Sequence, residues 1–419
     1  MIGLALVVSF GIDVANTRQE GSINLRNRIT GIRVFERGLD PYRYKWHEGD
    51  PPEYCDILNN PNQSVSKTTV TPTQLVLHAP LAALPYRPVQ FLWLVVQWAC
   101  LLGTGWLWWR KCATTTARWL AALFVTGLSY TVEWRWHADR GQIYVVLGFL
   151  FAYWLTTTMD PKRGNGVAPG FLAGFLVALR PTFILLLPFV ALHRRGQLPG
   201  AVAGLLLGIG LPLIHHPGAW SEYSSAMKTN SEQYRASYQP APDPQKHPAE
   251  IEGIPDTTLC YWKHYSVGDF SVHSLLIKYK REPFPEPPVL MLFATPFALW
   301  LWFSRKQPPE RLLPGLAAWF FLADLFLPAA RYSYYDVLIL NAVLSGIALT
   351  KKIPLAAWPC LLALPFGWYV LAFTPGRPTL INMPAFYFTV GAVLLLFSFM
   401  TPSLFSFTAP ADRERAKNE

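Results

Sequence analysis

Long apolar segments alternate with short basic turns along this chain, and that alternation limits the folds open to it. Lys and Arg are concentrated in the cytoplasmic loops of membrane proteins. If the apolar segments are membrane spans, the basic groups all lie on one side, so the pattern predicts orientation as well as class. The groups are Arg110/Lys111/Arg118, Lys162/Arg163, Arg194/Arg195, Arg305/Lys306/Arg311, Lys351/Lys352 and the C-terminal tail. We expect an all-α integral membrane protein, a polytopic helical bundle of about twelve membrane segments with both termini in the cytoplasm.

The composition agrees with a membrane protein and argues against a nucleic-acid-binding protein. Of 419 residues, 52% are hydrophobic and only 15% are charged, which is too apolar for an ordinary soluble protein. The formal net charge of +10 is accounted for by cytoplasmic Lys and Arg and by attraction to membrane lipids. The basic residues form no patch interleaved with aromatic residues, so no nucleic-acid partner is predicted.

Two long polar segments interrupt the apolar pattern, at residues 18–88 and 215–287. We predict that both are extracytoplasmic loops of a single GT-C-like domain spanning residues 1–419, with a cytoplasmic tail at 401–419. Loops longer than about 15 residues are usually functional or disordered. The first loop is expected to form the lip of an active site that faces away from the cytoplasm.

The first loop begins with a predicted amphipathic helix. Four apolar residues recur at helical spacing between Asn24 and Arg37, and Arg side chains share another face. The apolar set is Leu25, Ile29, Ile32 and Phe35, and the basic set is Arg26, Arg33 and Arg37. A basic amphipathic helix beside a hydrophobic span is expected to lie on the membrane surface.

Residues 167–192 contain a predicted break. Phe171–Leu179 and Phe183–Leu192 are each too short to cross a membrane, and Arg180-Pro181-Thr182 separates them. Proline disfavours helix at the residue before it. Two short helices that meet at an outward-facing break therefore fit better than one long helix with an arginine in the lipid.

The five cysteines do not form a disulfide framework. Cys55 and Cys260 both fall in predicted outer loops, so these two form either a single bridge or a pair of free thiols. No Cys/His spacing is typical of a zinc site, and no metal site is predicted.

Four elements in the first half of the chain, taken in order, resemble one family. Leu25–Tyr42 ends in Gly38-Leu39-Asp40-Pro41-Tyr42, Thr71-Pro72-Thr73 leads into Ala79–Pro85, Gly141-Gln142 opens an apolar segment, and Arg180-Pro181-Thr182 precedes Arg194-Arg195. With these elements the chain resembles the polytopic polyprenyl-phosphate-dependent glycosyltransferases of the GT-C class. Among them it is most similar to the bacterial α-mannosyltransferase-like family GT87, also called DUF2029.

The resemblance implies transfer of a sugar, mannose or another, from a polyprenyl-phosphate donor to a lipid or glycan acceptor, with inversion. It implies a bacterial inner (cytoplasmic) membrane location, an active site facing the periplasm, and no required cofactor, with a divalent metal left open. The reaction needs a carboxylate to accept the proton of the acceptor hydroxyl. It also needs cations, preferably Arg, to hold the leaving phosphate.

The candidates for holding the donor phosphate are Arg180, Arg331 and Arg140, with His215 as an assisting group at the start of the second loop. In the alternative interpretation, the three arginines pair with lipid phosphates or cap helix ends, and the histidine is simply solvated. The proline beside Arg180 has no other explanation, so Arg180 is the first choice.

Counting back from Pro41, the resemblance places the family's catalytic Asp at Asn24, and Asn cannot act as a base. Either this register is off, another carboxylate serves, or the chain is inactive. Asp40, Asp13 and Asp139 are the candidates in its place, with Glu20 also near. An Asp before Pro often caps a turn, which is the alternative for Asp40. Asp13 could instead mark the end of the first span, although a carboxylate at that depth is costly without a role.

Tyr42, Trp46 and Gln142 are the candidates for contact with the sugar or the acceptor, and anchoring at the membrane interface is the alternative for the two aromatic residues. Two other functions stay open. A lipid or glycan transporter or flippase would usually show paired halves and charges near mid-membrane, and no repeat is visible. The second of these functions is that of a catalytically inactive relative that acts as a membrane scaffold, which Asn24 keeps open.

Overall fold

The structure, a computed structural model, describes residues 1–44, 46, 49–55, 68–236, 271–273, 276, 286–327, 331 and 333–349. Within these ranges every regular element is a helix. The α-helices are α1 (Ile2–Glu20), α2 (Ile23–Phe35), α3 (Pro72–Val76), α4 (Ala79–Ala82), α5 (Tyr86–Trp109), α6 (Thr115–Leu128), α7 (Val132–Asp139), α8 (Tyr144–Thr158), α9 (Val167–Leu179), α10 (Leu186–His193), α11 (Leu198–His215), α12 (Ala219–Ala236), α13 (Glu286–Ser304), α14 (Pro309–Ala323) and α15 (Ile339–Leu349). Short 3₁₀ turns lie at Pro52–Tyr54, Pro181–Leu185, Arg195–Gln197 and Ser333–Leu338.

Three helices in the described part of the chain are long and apolar enough to cross a membrane: Tyr86–Trp109, Arg195–His215 and Glu286–Ser304. A fourth crossing is possible if Glu133–Asp139 and Tyr144–Thr158, which meet at 110°, act as one bent span. The class of helical membrane protein is therefore confirmed. The number of about twelve segments stays a prediction. The predicted spans Pro354–Phe373 and Pro384–Met400 and the tail at 401–419 lie outside the described residues.

Helices α5 and α8 pack side by side at the centre, and α6, α9 and α15 pack around them. One amide fastens this group. Asn341 of α15 accepts a hydrogen bond from the Trp108 indole (3.0 Å) and donates one to the Gly148 carbonyl (2.8 Å). All three helices are thereby fixed by a buried polar contact whose donors and acceptors are satisfied.

Helices α9 and α11 pack with their backbones almost touching. A Cβ added at Gly174 would lie 1.8 Å from the Ala201 carbonyl oxygen, and one at Gly204 would lie 2.0 Å from the Phe171 oxygen. Glycine at every fourth position lets membrane helices approach this closely. The glycines are Gly170 and Gly174 in α9 and Gly200, Gly204 and Gly208 in α11.

The predicted helix of the first loop is present as α2, and its apolar residues Leu25, Ile29, Ile32 and Phe35 are buried. We expected only its apolar face to be covered, by the membrane surface, but its basic face is largely covered by protein as well. Arg26 and Arg28 are also buried, and Arg33 donates to the carbonyls of Ala82 (3.0 Å) and Glu53 (3.4 Å). The helix packs into the protein on both faces because its arginines find carbonyl acceptors there.

The break predicted at Arg180 is confirmed. Helix α9 ends at Leu179, Arg180 is extended (φ −150°, ψ 117°), and Pro181 opens a 3₁₀ turn that leads into α10. Proline cannot donate a backbone hydrogen bond and restricts the residue before it, so the helix stops there.

Candidate functional site

The first loop is fastened to the end of α9 and to α11 beside Arg180. The Thr71 hydroxyl donates to the Leu179 carbonyl (3.0 Å), and the Thr73 hydroxyl donates to the Gly208 carbonyl (2.7 Å). Thr71 also caps α3 by accepting from the Gln74 N–H. Two segments more than 100 residues apart in sequence, Thr71-Pro72-Thr73 and Arg180-Pro181-Thr182, therefore meet. We call this region the Arg180 end of the bundle.

Arg180 lies in a nearly closed polar environment. Its Nη2 donates to Asp324 Oδ1 (2.7 Å) and its Nε donates to the Thr182 hydroxyl (3.1 Å). The guanidinium stands 4.4 Å from the ring centre of Tyr144 and 5.2 Å from that of Tyr335. Its Nη1 is buried and has no hydrogen-bond partner among the described residues, and the same holds for Asp324 Oδ2. Buried polar atoms are nearly always paired, so an arginine with an unused donor is equipped for a ligand.

Gln142 lies next to this environment and is buried. Its Oε1 accepts from Arg28 Nη2 (3.2 Å), and Arg28 Nη1 donates to the Gly141 carbonyl (3.0 Å). Gly141 has a φ of +66°, and a Cβ there would lie 2.8 Å from the Leu25 Cβ. Only glycine combines that backbone conformation with that approach, so the Gly141-Gln142 pair sets how α2 docks on the turn between α7 and α8.

Asp13 is buried, and three donors occupy its two carboxylate oxygens. The indoles of Trp98 (2.9 Å) and Trp134 (2.8 Å) donate to Oδ2, and Arg135 forms an ion pair with Oδ1. Arg135 also donates to the Ser9 carbonyl. The carboxylate therefore links α1, α5 and α7. Its depth in the first apolar segment is explained by these bonds.

Asp40 caps the turn that follows α2. Its Oδ1 accepts from the Tyr42 N–H (2.8 Å), and its Oδ2 lies 3.8 Å from Arg43 Nη1. Tyr42 is buried, donates its hydroxyl to the Val70 carbonyl (3.2 Å) and packs against Tyr223 of α12 at 5.6 Å between ring centres. Burial raises the pKa of the Tyr42 hydroxyl, and Tyr223, Asp40 and Glu222 raise it further.

The other predicted residues are placed as follows. Asn24 donates its backbone N–H to the Arg140 carbonyl (3.0 Å), so it lies where α7 ends, beside the buried Asp139. Trp46 donates its indole N–H to the Pro51 carbonyl (3.1 Å). His215 is exposed at the end of α11, 6.4 Å from the Phe35 ring centre.

Arg331 is buried, and its Nη2 lies 2.6 Å from Asp336 Oδ1. Asp336 belongs to the 3₁₀ turn Ser333–Leu338, which packs on α7 and α8. The same turn contains Tyr335, whose ring lies against the Arg180 guanidinium. Cys260 lies outside the described residues, so its pairing with Cys55 stays a prediction.

Several residues of this region were not singled out by the sequence: Asp324, Tyr144, Tyr223, Glu222 and His78. Asp324 carried the only available signal, a carboxylate within an apolar segment. The others stand at helix ends in ordinary polar surroundings, where nothing local distinguishes them. Only the tertiary contacts bring Asp324 and Tyr144 to Arg180.

No group of three or more His, Cys, Asp or Glu side chains suited to a metal ion occurs in the described part of the chain. The side chains that the structure places against Arg180 are Asp324, Thr182, Tyr144 and Tyr335.

The fold and this region define a helical membrane protein with a buried arginine–carboxylate pair at one end of its bundle. The model of glycosyltransferase family 87 matches residues 69–328, which is more than half of the chain. The protein therefore belongs to glycosyltransferase family 87 and is a glycosyltransferase. The match includes Arg180 and Asp324 but begins after α2, Asn24 and Asp40. No curated protein matches the chain, and no solved structure does.

Proposed function

We propose that this glycosyltransferase moves a sugar from a polyprenyl-phosphate donor to a lipid or glycan acceptor, with inversion at the anomeric carbon. The reaction would take place at the Arg180 end of the bundle. In this proposal residues 18–88 and 215–287 face the periplasm from a bacterial cytoplasmic membrane. Mannose is one candidate sugar.

The observation that supports this proposal is the unused donor of Arg180. Asp324 and Thr182 hold two of its three guanidinium nitrogens, so the group is oriented before any ligand arrives. A leaving phosphate would accept from the third nitrogen, and the positive charge would stabilise the negative charge that develops on it. Tyr144 and Tyr335 flank the guanidinium and keep water from it. Arg140, Arg331 and His215 are further candidates for the same phosphate.

A lipid-borne donor suits the surroundings of Arg180. The neighbouring helix α11 exposes Leu206, Ile209 and Leu213 on its outer side. Apolar side chains exposed on a membrane helix face the acyl chains of the bilayer. A polyprenyl chain could therefore stay in the bilayer while its phosphate reaches the break between α9 and α10. Tyr42, Trp46 and Gln142 are the candidates for contact with the sugar or the acceptor.

The test is sugar transfer by the purified protein in nanodiscs, with polyprenyl-phosphomannose and other polyprenyl-phosphate sugars as donors and mixed lipid and glycan acceptors. Arg180→Lys keeps the charge but loses the fork of donors, and we expect kcat/KM to fall on the order of 10²-fold. Arg180→Ala combined with Asp324→Asn avoids a buried unpaired carboxylate and should also be inactive while staying folded.

The matched control is Arg195→Ala, an exposed arginine at the other end of α11, which should keep wild-type transfer. Full activity of Arg180→Lys would contradict the assignment of the phosphate site. Movement of labelled donor across the membrane without any transfer would favour the transporter.

A further inference from the structure

Asn24 cannot act as the base of the proposed reaction, and α12 has a carboxylate that follows closely after the end of α11. Helix α11 ends at His215, His216 is extended, and α12 begins at Ala219. This short connection places Glu222, in the first turn of α12, against His216. The distance from His216 Nε2 to Glu222 Oε1 is 2.6 Å.

The Glu222 carboxylate has one oxygen held and one oxygen unused. His216 takes Oε1, whereas Oε2 is buried and has no hydrogen-bond partner among the described residues. The side chains are 16% exposed for His216 and 25% exposed for Glu222, so the pair borders the surface while Oε2 itself points inward. A carboxylate with a fixed orientation and a vacant acceptor position is what general base catalysis requires.

One ring contact and two electrostatic interactions connect this pair to Arg180. Glu222 is one of the charges that raise the pKa of Tyr42, and Tyr42 packs on Tyr223 at 5.6 Å. Burial raises the pKa of Tyr223 to about 12, although the nearby Arg180 guanidinium lowers it. His216 packs edge-on against Phe35 of α2 at 5.8 Å. In this series of interactions Tyr42 and Tyr223 stand between the carboxylate and the guanidinium.

That separation fits inversion. The entering hydroxyl and the leaving phosphate lie on opposite faces of the sugar, so the base and the phosphate-binding group must stand apart. Asp324 touches Arg180 directly and would be on the phosphate side. Asp13 is enclosed by its three donors, and Asp40 holds the Tyr42 N–H. Among these carboxylates Glu222 combines an unused oxygen with a partly exposed side chain.

We propose that Glu222 is the general base of the sugar transfer and that His216 is a positioning residue that holds it; the inference rests on the proposed function. The acceptor O–H proton would pass to Glu222 Oε2 as the acceptor oxygen bonds to the anomeric carbon. The bond from that carbon to the phosphate oxygen breaks, and the polyprenyl phosphate leaves with the electron pair. Atoms and charges balance without any further reactant.

The experiment compares Glu222→Gln, Glu222→Ala and His216→Asn with wild type in the nanodisc assay. Removing a general base typically costs about 10²- to 10⁴-fold in rate. We expect Glu222→Gln to lower kcat by at least about 10²-fold and to change the donor KM by less than about threefold. His216→Asn, which keeps a donor, should lose less, roughly tenfold. Glu232→Gln, an exposed residue of the same helix, is the matched control and should be fully active.

Rescue by azide distinguishes a base from a structural residue. Glu222 also lies in the first turn of α12, where a negative charge stabilises the helix, so a loss of activity alone could reflect folding. Azide needs no deprotonation. With Glu222→Ala it should attack the anomeric carbon, displace the polyprenyl phosphate and give a glycosyl azide of inverted configuration.

The outcomes separate the two proposals. Transfer by wild type together with full activity of Glu222→Gln would overturn the assignment of the base and leave the proposed function intact. Loss of activity in Glu222→Ala without azide rescue, accompanied by a lower melting temperature, would also overturn it. Absence of transfer by wild type with every polyprenyl-phosphate donor would instead overturn the proposed function itself.

Discussion

Asp13 shows how the tertiary structure gives one side chain partners that its position in the sequence does not reveal. A carboxylate near the predicted mouth of a site is a reasonable candidate for a base. In the structure Trp98, Trp134 and Arg135 use both of its oxygens. Hydrogen bonds from these three side chains fix the orientation of the buried carboxylate. Its contribution is to join α1 to α5 and α7.

His78 provides a test at the same scale. Its Nδ1 lies 2.7 Å from the Gln74 carbonyl oxygen, and its ring packs 5.0 Å from Trp93. Burial, and then the charge of Arg28, lower its pKa from 6.5 to about 3. Below pH 6.5 the unfolded chain binds a proton that the folded protein does not. The neutral His78 ring therefore contributes fully to the free energy of unfolding above pH 6.5, and this contribution is lost as the pH falls toward 3.

We expect the free energy of unfolding in detergent to fall by about 2 kcal/mol from pH 7 to pH 5 because of His78. Denaturant titration at the two pH values measures the difference. His78→Gln should remove that part of the pH dependence, and His215→Gln, at an exposed histidine, is the matched substitution. An unchanged pH dependence in His78→Gln would show that the imidazole can be protonated in the folded state.

At the scale of elements, the contact between α9 and α11 depends on glycine. Apolar side chains give little attraction between helices in lipid, because the acyl chains are equally apolar. Association then relies on close packing of backbones, which the glycines at 170, 174, 200, 204 and 208 permit. This glycine-lined contact between α9 and α11, the seam, ends at Leu179 and Gly208, where Thr71 and Thr73 attach the first loop. The position of Arg180 is thus set by the seam.

Two substitutions in α11 test this contact. A Cβ at Gly204 would lie 2.0 Å from the Phe171 carbonyl oxygen, whereas a Cβ at Gly210 meets nothing within 4 Å. Gly204→Ala should destabilise the protein by about 1–3 kcal/mol. Gly210→Ala should be neutral or stabilising by up to about 1 kcal/mol, since alanine favours helix. Thermal unfolding in one detergent compares them. Equal melting temperatures of the two variants would mean that α9 and α11 can move apart without loss of stability.

At the scale of the whole molecule, the open question is orientation, which the charge pattern predicts. We expect the turn at residues 160–166 to face the cytoplasm and the turn at residues 38–44 to face the outside. Starting from a variant with all five native cysteines replaced, Lys162→Cys should react with a membrane-impermeant maleimide only after cells are opened. Arg43→Cys should react in intact cells. The reverse labelling would place the Arg180 end in the cytoplasm and contradict a periplasmic site.

The sequence by itself determined the class of the protein, the helix of the first loop, the break at Arg180 and the family. Each of these depends on composition or on residues that are near one another in the chain: hydrophobic runs, helical spacing, a proline after Arg180. Only the tertiary structure decided which polar groups meet. Arg180 pairs with Asp324, which is 144 residues away, and Asp13 pairs with Arg135, 122 residues away. Periodicity carries no information about such partners, since a buried charge is stabilised by whichever opposite charge the packing of the helices brings to it.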